Sequence, residues 1–339
     1  MAAYQNMAAW LPGVGKQVEV GPADTPEPGP GELLIEVRPV NKEAGHFVTA
    51  FLSLRKVSDS RRVSFSGTIV KVGTEVSRFK QGDRVATNSC MVLRNDSRFG
   101  AYQRYALTTQ EMTAKIGETS FETAVSVSTL CYSASALILH LHLERPADHP
   151  NPENKSKKVL IWGASSSFGA YATQMAARAG YAVVSVASAK NAQLVKSFGA
   201  MHFVDRSSPR VTQELIDLGP FEAVLAASDS APDQVVLGDV LVAQGGGTFM
   251  ATMGVWPGVE LPSGVTGIFA AFLPDYLDPK NREFTEWVWW DFLESEFASG
   301  QLQQMPVRAL GGLDKVQEAW NLLKEHKVSG ERLAITPGL

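Results

Sequence analysis

The stretch from Val159 to Ala170, which reads VLIWGASSSFGA, constrains the fold of this chain more than any other. Its first four residues are continuously apolar, which is typical of a strand buried on both faces of a parallel sheet. Gly163 allows a tight turn, and an amphipathic helix over Phe168–Ala179 follows before Gly180. The sequence therefore predicts a strand, a turn and a helix in immediate succession.

The turn has the composition of a dinucleotide-binding turn. Its pattern is Gly163-x-x-Ser166-x-x-Gly169, so a serine replaces the middle glycine of the usual fingerprint. The N–H groups and the dipole at the start of such a helix favour a pyrophosphate. The alternative is a packed turn that binds nothing. The residues expected to contact the cofactor here are Gly163, Ser165, Ser166, Ser167, Phe168 and Gly169.

From Val159 onward the pattern alternates between strand and helix, which predicts a doubly wound parallel sheet. The predicted strands are Val159–Trp162, Ala182–Ala187, Met201–Val204, Glu222–Ala226, Gly247–Ala251 and Thr266–Ala271. The predicted helices between them are Phe168–Ala179, Asn191–Phe198, Val211–Leu218 and Pro232–Leu241.

The residues on either side of this sheet follow other patterns. Short strand-like runs such as Leu33–Arg38, Ser66–Gly73 and an alternating Gly100–Leu107 predict a compact antiparallel, barrel-like domain. Phe121–His140 reads as one or two buried helices, and Arg145–Lys158 as an exposed loop. The helices Glu283–Ala298 and Leu313–His326 and the strand Arg332–Thr336 come after a complete sheet, so we expect them to return to the first domain.

Composition excludes several classes of function. The formal charge of −4 and a pI near 5.9 argue against nucleic acid or an anionic membrane as a partner. Two cysteines, Cys90 and Cys131, indicate a reducing compartment without a disulfide framework. The N-terminus lacks a signal-peptide pattern, and no stretch is expected to reach membrane-spanning length, which predicts a cytoplasmic protein.

The order of these parts resembles the medium-chain dehydrogenase/reductase superfamily. The resemblance rests on Pro28-Gly-Pro-Gly-Glu32, Gly67-Thr-Ile-Val-Lys-Val-Gly73, Gly100-Ala-Tyr-Gln103, the dinucleotide turn and Val328-Ser-Gly-Glu-Arg-Leu333. It implies an α/β fold in which a Rossmann-type doubly wound parallel sheet accompanies a GroES-like, mostly antiparallel β domain. The implied boundaries are a GroES-like catalytic and substrate domain at 1–122, a Rossmann NADPH-binding domain at 123–280 and a return to the catalytic domain at 281–339.

Within the superfamily, Val159–Gly169 and Val183–Asn191 are similar to the fungal zinc-free trans-acting enoyl reductases. That resemblance implies NADPH-dependent reduction of an α,β-unsaturated acyl thioester held by a polyketide synthase. It also implies a monomer or a homodimer. The alternatives are a small-molecule enone or quinone reductase, and a nucleotide-binding protein with a structural or non-redox role.

The zinc ligands of the metal-dependent relatives are missing from this sequence. Val63-Ser-Phe-Ser66 stands where a Gly-His-Glu would lie, and the two cysteines form no CxxC pair. His140 and His142 would diverge on a helix, so they make a poor chelate. The sequence therefore predicts no metal.

Metal-free hydride transfer requires positioning and stabilisation of the developing enolate. In related reductases an Asn-Pro-x-Asp-x-Lys segment lies beside the nicotinamide, and Asn41-Lys-Glu-Ala-Gly-His46 is the matching stretch here. His46 could donate a proton or stabilise charge, although a surface histidine is the alternative. Tyr132 lies where the family lines its pocket and could otherwise be a packing aromatic.

Further contacts follow from the same resemblance. Thr129, Tyr132, Phe269 and Phe272 are expected to contact the substrate. Thr252, Met253, Val328 and Ser329 are expected to contact the cofactor. Trp287, Trp289 and Trp290 fit a core or a subunit interface better than a substrate channel.

The end of the second parallel strand favours NADPH over NADH. An acid at this position would bind both ribose hydroxyls and repel a 2′-phosphate, but the strand ends in Ser185-Val-Ala-Ser-Ala-Lys-Asn191. Ser188 and Asn191 can donate hydrogen bonds, and Lys190 and Arg206 supply positive charge. The alternative is an exposed strand end with solvated basic residues.

Overall fold

The computed structural model describes residues 5–13, 15–42, 56–57 and 63–339. The chain divides into two compact units. The split unit comprises Met1–Thr129 and Leu273–Leu339, and the central unit comprises Leu130–Phe272. For comparison, the sequence placed these two boundaries after residues 122 and 280.

The strands, in chain order, are β1 (Asn6–Leu11), β2 (Glu19–Ala23), β3 (Glu32–Lys42), β4 (Lys56–Val57), β5 (Val63–Val72), β6 (Arg84–Asn88), β7 (Tyr105–Thr109), β8 (Thr113–Lys115), β9 (Lys158–Trp162), β10 (Ala182–Ala187), β11 (His202–Asp205), β12 (Ala223–Ala226), β13 (Gly247–Ala251), β14 (Val265–Ile268), β15 (Val307–Gly311) and β16 (Arg332–Ile335).

The α-helices are α1 (Met91–Arg94), α2 (Phe121–Val127), α3 (Leu130–Ala134), α4 (Ser167–Arg178), α5 (Ala192–Ser197), α6 (Val211–Leu218), α7 (Ala231–Ala243), α8 (Leu273–Leu277), α9 (Arg282–Glu286), α10 (Leu293–Ser299) and α11 (Val316–Lys324). A π-helical segment, Ser135–His140, continues α3, and another, Trp287–Phe292, joins α9 to α10. Short 3₁₀ turns lie at Ser97–Phe99, Gln110–Met112, Pro152–Ser156, Ala189–Asn191, Pro279–Asn281 and Leu313–Lys315.

The central unit is built on a six-stranded sheet with the order β11-β10-β9-β12-β13-β14. Every neighbouring pair is parallel. This is the doubly wound arrangement predicted from the sequence, and its order reverses between β9 and β12. In such sheets ligands bind outside the carboxyl ends of the strands near that reversal.

The core of the central unit packs α6 and α7 against one face of this sheet. Leu160 and Val224 of the sheet join Leu215 and Leu237 of the helices in one buried cluster. The inner strands β9, β10 and β12 are almost entirely buried and read as continuous apolar runs, and that pattern is what made them predictable.

The split unit holds a seven-stranded sheet and a three-stranded sheet. The larger follows the order β15-β16-β3-β5-β6-β8 with β7 paired to β3, and the smaller follows β2-β1-β4. Its pairs are antiparallel except β15 with β16. The C-terminal strand β16 pairs with β3.

Several local expectations were wrong. The predicted alternating strand at Gly100–Leu107 begins only at Tyr105, and all five residues of β7 are buried, so no alternation is possible. The loop at Arg145–Lys158 is not uniformly exposed. Asn154 is fully buried in it and donates from Nδ2 to the Ala179 carbonyl at 2.9 Å. The polar composition of this loop therefore gave no sign that Asn154 is buried and anchors the loop to the Ala179 carbonyl.

The expectation that no stretch reaches membrane-spanning length was also wrong, because one helical stretch is long enough and apolar enough to cross a membrane. Among the described residues, Phe121–His140 forms one helical stretch of 20 residues with a mean hydropathy of 1.3. Of its most apolar window, 78% is buried inside the protein, as in the core helices of soluble proteins.

Candidate cofactor and active site

The turn after β9 brings the backbone of the strand end against the start of α4. Gly163 has φ +77°, and its N–H and that of Ala164 donate to the Val186 carbonyl of β10 at 2.9 and 3.0 Å. A Cβ on Gly163 would lie 2.6 Å from the Ser228 nitrogen, and one on Gly169 would lie 2.7 Å from the Ala164 Cα. Both positions therefore require glycine.

Ser166 explains why the middle glycine of the fingerprint is dispensable. Its φ of −75° and ψ of 158° are extended values that any residue adopts, and its Oγ accepts the Gly169 N–H at 3.1 Å. The first intrahelical bond runs from the Ala170 N–H to the Ser166 carbonyl at 2.8 Å, so the N–H groups at Ser167 and Phe168 precede it. This donor set fits a pyrophosphate. The turn contains all six predicted residues: Gly163, Ser165, Ser166, Ser167, Phe168 and Gly169.

The end of β10 carries the residues predicted to bind the ribose side of the cofactor. Ser188 and Lys190 are exposed, whereas Asn191 is nearly buried in the 3₁₀ turn that follows the strand. Lys190 forms no ion pair with any residue that the structure describes. Its charge is therefore available to an anionic ligand.

Sequence reasoning missed a carboxylate beside this strand end. Asp205 closes β11, and its Oδ1 accepts the Ala189 N–H at 3.1 Å. The backbone N–H and the hydroxyl of Ser207 also donate to it, and these hydrogen bonds hold the pKa of Asp205 below its ordinary value. No pattern in the sequence marks this contact, because it depends on β11 lying beside β10 with Asp205 in register with Ala187. Asp205 therefore lies at the end of β11, one strand away from the end of β10, where an acidic residue would select NAD.

Arg206, the other predicted phosphate contact, is engaged within the protein. Its Nε donates to Asp233 Oδ1 at 3.1 Å, and its Nη2 donates to Asp233 Oδ2. Its guanidinium carbon lies 5.9 Å from the centre of the Trp162 ring. Arg206 is therefore one half of a forked ion pair at the carboxyl end of the sheet.

A buried hydrogen-bond network joins the segments that follow β12 and β13. Asp229 Oδ2 accepts from Gln234 Nε2 at 2.6 Å and from Trp256 Nε1 at 3.3 Å. Gln234 Nε2 also donates to the Gly254 carbonyl at 2.8 Å, and its Oε1 accepts the Trp256 N–H at 2.9 Å. Burial raises the pKa of Asp229 to about 6. Sequence reasoning did not single out any of these residues.

Two predicted cofactor contacts lie between β13 and this network. Thr252 is nearly buried and Met253 is half-buried, and Gly254, whose carbonyl the network binds, comes next. The network therefore positions the segment that carries Thr252 and Met253.

Aromatic side chains gather at the start of α4. The ring of Phe272 lies 5.4 Å from that of Phe168 and 6.0 Å from that of His140. The Ser133 hydroxyl donates to the Phe168 carbonyl at 2.9 Å, which ties α3, the helix of Tyr132, to the same place. Phe272 has φ +58°, an uncommon conformation for an aromatic residue. The structure therefore brings Phe272, one of the predicted substrate residues, to the start of α4.

The remaining predicted substrate residue of the central unit is placed differently. The side chain of Phe269 is 55% exposed, whereas Phe272 and Tyr132 are buried. Of the three tryptophans, Trp289 is fully buried in the split unit, which is the core position expected for it.

In the split unit, Thr129 is held by a buried arginine. Arg332 Nη1 donates to Thr129 Oγ1 at 2.9 Å, and that hydroxyl donates to the Ser126 carbonyl at 2.8 Å. Val328 and Ser329 lie in the loop that leads into β16, which Arg332 begins. A charged residue opening an apolar strand was the signal for Arg332, and sequence reasoning did not use it.

The predicted catalytic segment is only partly described. The backbone of Asn41 lies in β3 opposite Ala334 of β16. His46 lies outside the described residues, so its role stays a prediction.

Residues 5–13, 15–42, 56–57 and 63–339 contain no cluster of three or more His, Cys, Asp or Glu side chains that could hold a metal ion. Burial raises the pKa of Cys90 to about 12, so this thiol is neutral, whereas zinc binds thiolate. Independence from zinc stays a prediction.

Comparison with known proteins relates this architecture to named enzymes. Residues 29–118 match the alcohol dehydrogenase GroES-like domain. The chain is 31% identical over 344 residues to the trans-enoyl reductase himH of Aspergillus japonicus, covering 99% of this chain and 98% of that protein. It is 30% identical to the trans-enoyl reductase ffsC of Aspergillus flavipes, covering 81% and 80%. The crystal structure of CurK enoyl reductase matches with a TM-score of 0.73 at 17% identity, covering 98% and 99%, which shows a shared fold.

The GroES-like domain and the doubly wound sheet together define an oxidoreductase with a nicotinamide-cofactor site. The chain belongs to the medium-chain dehydrogenase/reductase superfamily, and within it the fungal trans-enoyl reductases are similar along almost the whole length.

Proposed function

We propose that this protein catalyses the NADPH-dependent reduction of an activated carbon–carbon double bond in an α,β-unsaturated acyl thioester carried by a polyketide synthase. The observation that carries the proposal is the 31% identity, over 99% of the chain, to a trans-enoyl reductase. When bound, NADPH supplies a hydride to the substrate. The residues of this chain bind the cofactor, orient the substrate and stabilise the developing enolate.

The cofactor side of the proposal rests on the central unit. The N–H groups at the start of α4 would bind the pyrophosphate, and Ser188 and Lys190 would lie at the ribose. Thr252 and Met253 would contact the other half of the dinucleotide, on a segment that the buried Asp229 network holds. Val328 and Ser329 are proposed contacts from the split unit.

The substrate side rests on fewer observations. Phe272 packs on Phe168 at the start of α4 and would form an apolar wall for the acyl chain. Tyr132 and His46 are the proposed groups for stabilising the enolate oxygen and donating a proton. The Thr129 hydroxyl is already bonded to Arg332 and Ser126, so we assign it a positioning role.

The test is a substrate panel with NADPH. The purified protein is incubated with enoyl thioesters of N-acetylcysteamine, the same acyl groups on a carrier domain, their saturated counterparts and a series of quinones, while cofactor absorbance is followed. We expect oxidation of NADPH with the enoyl thioesters, fastest on the carrier. Turnover of quinones alone would support the small-molecule alternative, and cofactor binding without any turnover would support the non-redox alternative.

A variant pair tests the proposed role of His46. His46→Ala should lower kcat and kcat/KM by the same factor while the Kd for NADPH stays constant, because the group acts only on the transition state. His149→Ala, which removes an exposed histidine, is the matched control. Equal kinetics for both variants would show that His46 is a surface residue.

Zinc independence has its own assay. We expect full activity after dialysis against a chelator and no stoichiometric zinc by elemental analysis. About one tightly bound zinc per chain, with an inactive apo form, would contradict this expectation.

A further inference from the structure

The Arg206–Asp233 pair has a defined orientation. The Nε and Nη2 of Arg206 form a fork with the two carboxylate oxygens of Asp233. The Arg206 side chain is 34% exposed and that of Asp233 is 10% exposed. A guanidinium has five N–H donors, so this fork leaves the Nη1 edge for any other partner.

Asp233 cannot turn away from Arg206 without a cost elsewhere. Its Oδ2 accepts the Ser230 N–H at 2.7 Å and the Ser230 hydroxyl at 2.5 Å. The bond from the Ser230 N–H is the Asp233 half of the capping box at the N-terminus of α7, a helix of 13 residues. The carboxylate is therefore fixed by the helix start, and Arg206 is fixed by the carboxylate.

The pair changes the electrostatics of the strand ends. Arg206 and Asp233 together carry no net charge, and the neighbouring Asp205 adds a negative charge. A phosphate beside Arg206 would therefore feel an attraction largely offset by Asp233, since the two opposite charges lie within one hydrogen bond of each other.

We propose that Asp233 is a specificity-determining residue that weakens the attraction of Arg206 for the 2′-phosphate of the cofactor. This inference rests on the proposed NADPH function, because it concerns how strongly the same site distinguishes NADPH from NADH. The first turn of α7 then contributes to cofactor specificity, because its Asp233 offsets the positive charge that Arg206 presents to the phosphate.

The experiment measures fragment binding by calorimetry in the absence of nicotinamide and substrate. The probes are 2′,5′-ADP (adenosine 2′,5′-bisphosphate) and 5′-AMP, which differ only in the 2′-phosphate. Asp233→Asn and Asp233→Gln remove the charge and keep an oxygen that can cap α7. Asp239→Asn, at an exposed position on the same helix, is the control for net charge. Arg206→Ala and Arg206→Ala/Asp233→Asn complete the set.

We expect Asp233→Asn to bind 2′,5′-ADP about five- to tenfold more tightly than the unmodified protein, with 5′-AMP unchanged, because a nearby negative charge is gone. The gain should disappear in the double variant. Melting temperatures show whether each variant is folded, and Asp233→Gln serves if Asp233→Asn is not.

Unchanged or weaker binding of 2′,5′-ADP by both folded Asp233 variants would overturn the proposal, as would an equal gain in Asp239→Asn. The same experiment tests the proposed NADPH function through a different result. If the unmodified protein binds both probes equally but Asp233→Asn gains affinity for 2′,5′-ADP, the NADPH preference is wrong and the masking by Asp233 stands.

Discussion

The two units of this protein differ in what places their predicted functional residues: the strand topology in the central unit, and individual side-chain bonds in the split unit. In the central unit, six parallel strands end at one edge, and the predicted cofactor contacts Gly163, Ser188 and Thr252 follow three of those strands directly. In the split unit, antiparallel strands end alternately at opposite edges. Its predicted contacts depend instead on individual bonds such as that between Arg332 and Thr129. A parallel sheet therefore gathers a site by topology, whereas an antiparallel sheet requires specific side-chain contacts.

The strongest test of topological placement is the turn after β9. In Gly169→Ala the new Cβ would lie 2.7 Å from the Ala164 Cα and also meet the Gly163 carbonyl, and backbone cannot yield as a side chain can. We expect a loss of about 3 kcal/mol in the free energy of unfolding, together with loss of NADPH binding. Urea unfolding and calorimetry measure the two effects.

Gly338→Ala is the matched control, because nothing lies within 4 Å of the Cβ it would add in the split unit. Its unfolding free energy should stay within about 0.5 kcal/mol of the unmodified value. Equal effects of the two substitutions would contradict the close packing of strand and helix.

The second test uses the pH dependence of stability. Burial raises the pKa of Asp229 to about 6, so between about pH 4 and pH 6 the folded protein binds more protons than the unfolded chain. The free energy of unfolding should therefore fall as the pH rises through this window, by about 2–3 kcal/mol from this group.

Asp229→Asn should lack that component of the pH profile and keep the bonds from Gln234 and Trp256, whereas Asp239→Asn, at an exposed position on α7, should retain it. Unfolding curves measured every half pH unit check this. A parallel profile for Asp229→Asn and the unmodified protein would show that the carboxyl group titrates normally.

The third test concerns the split unit. Thr129→Val removes the acceptor for Arg332 Nη1 inside the protein, and a hydrogen bond from a charged donor contributes about 1.5–3 kcal/mol. We expect a destabilisation of about 2 kcal/mol. Thr129→Ser, which keeps the hydroxyl, should recover most of it in the same urea titration.

NADPH affinity in Thr129→Val sharpens the comparison of the units. It should stay within twofold of the unmodified value if cofactor binding depends chiefly on the central unit. A large loss would show that the split unit contributes as much.

The smallest expected effect concerns the two basic residues at the strand ends. Lys190→Ala should reduce the preference for NADPH over NADH by about 1 kcal/mol, the magnitude of an exposed ionic contact. Arg206→Ala should reduce it by less, because Asp233 already binds that guanidinium. Dissociation constants for both cofactors measure the difference, and equal affinity of the unmodified protein for NADPH and NADH would show that neither residue binds the phosphate.

The central unit was the more predictable part of the fold. All six strands start within about two residues of the predicted positions. The signal is clearest for β9, β10 and β12, because strands buried on both faces lose the polar alternation of half-exposed strands. In the split unit the sequence missed β1, β2 and β8, and it assigned an alternating pattern to residues that β7 buries on both sides. Strands as short as these carry too little local signal to be recognised from the sequence.

The sequence alone determined the glycines of the turn, the apolar strands and the superfamily. Each of these depends on neighbours within one strand–turn–helix unit or on an ordered series of such units. Only the tertiary structure decided which groups face the strand ends: Asp205 beside Ala189, Asp233 on Arg206, and Trp256 on Asp229. These partners follow different strands of the sheet or the helices between them. Their contacts exist because the strand order places those segments side by side, and local sequence carries no record of that order.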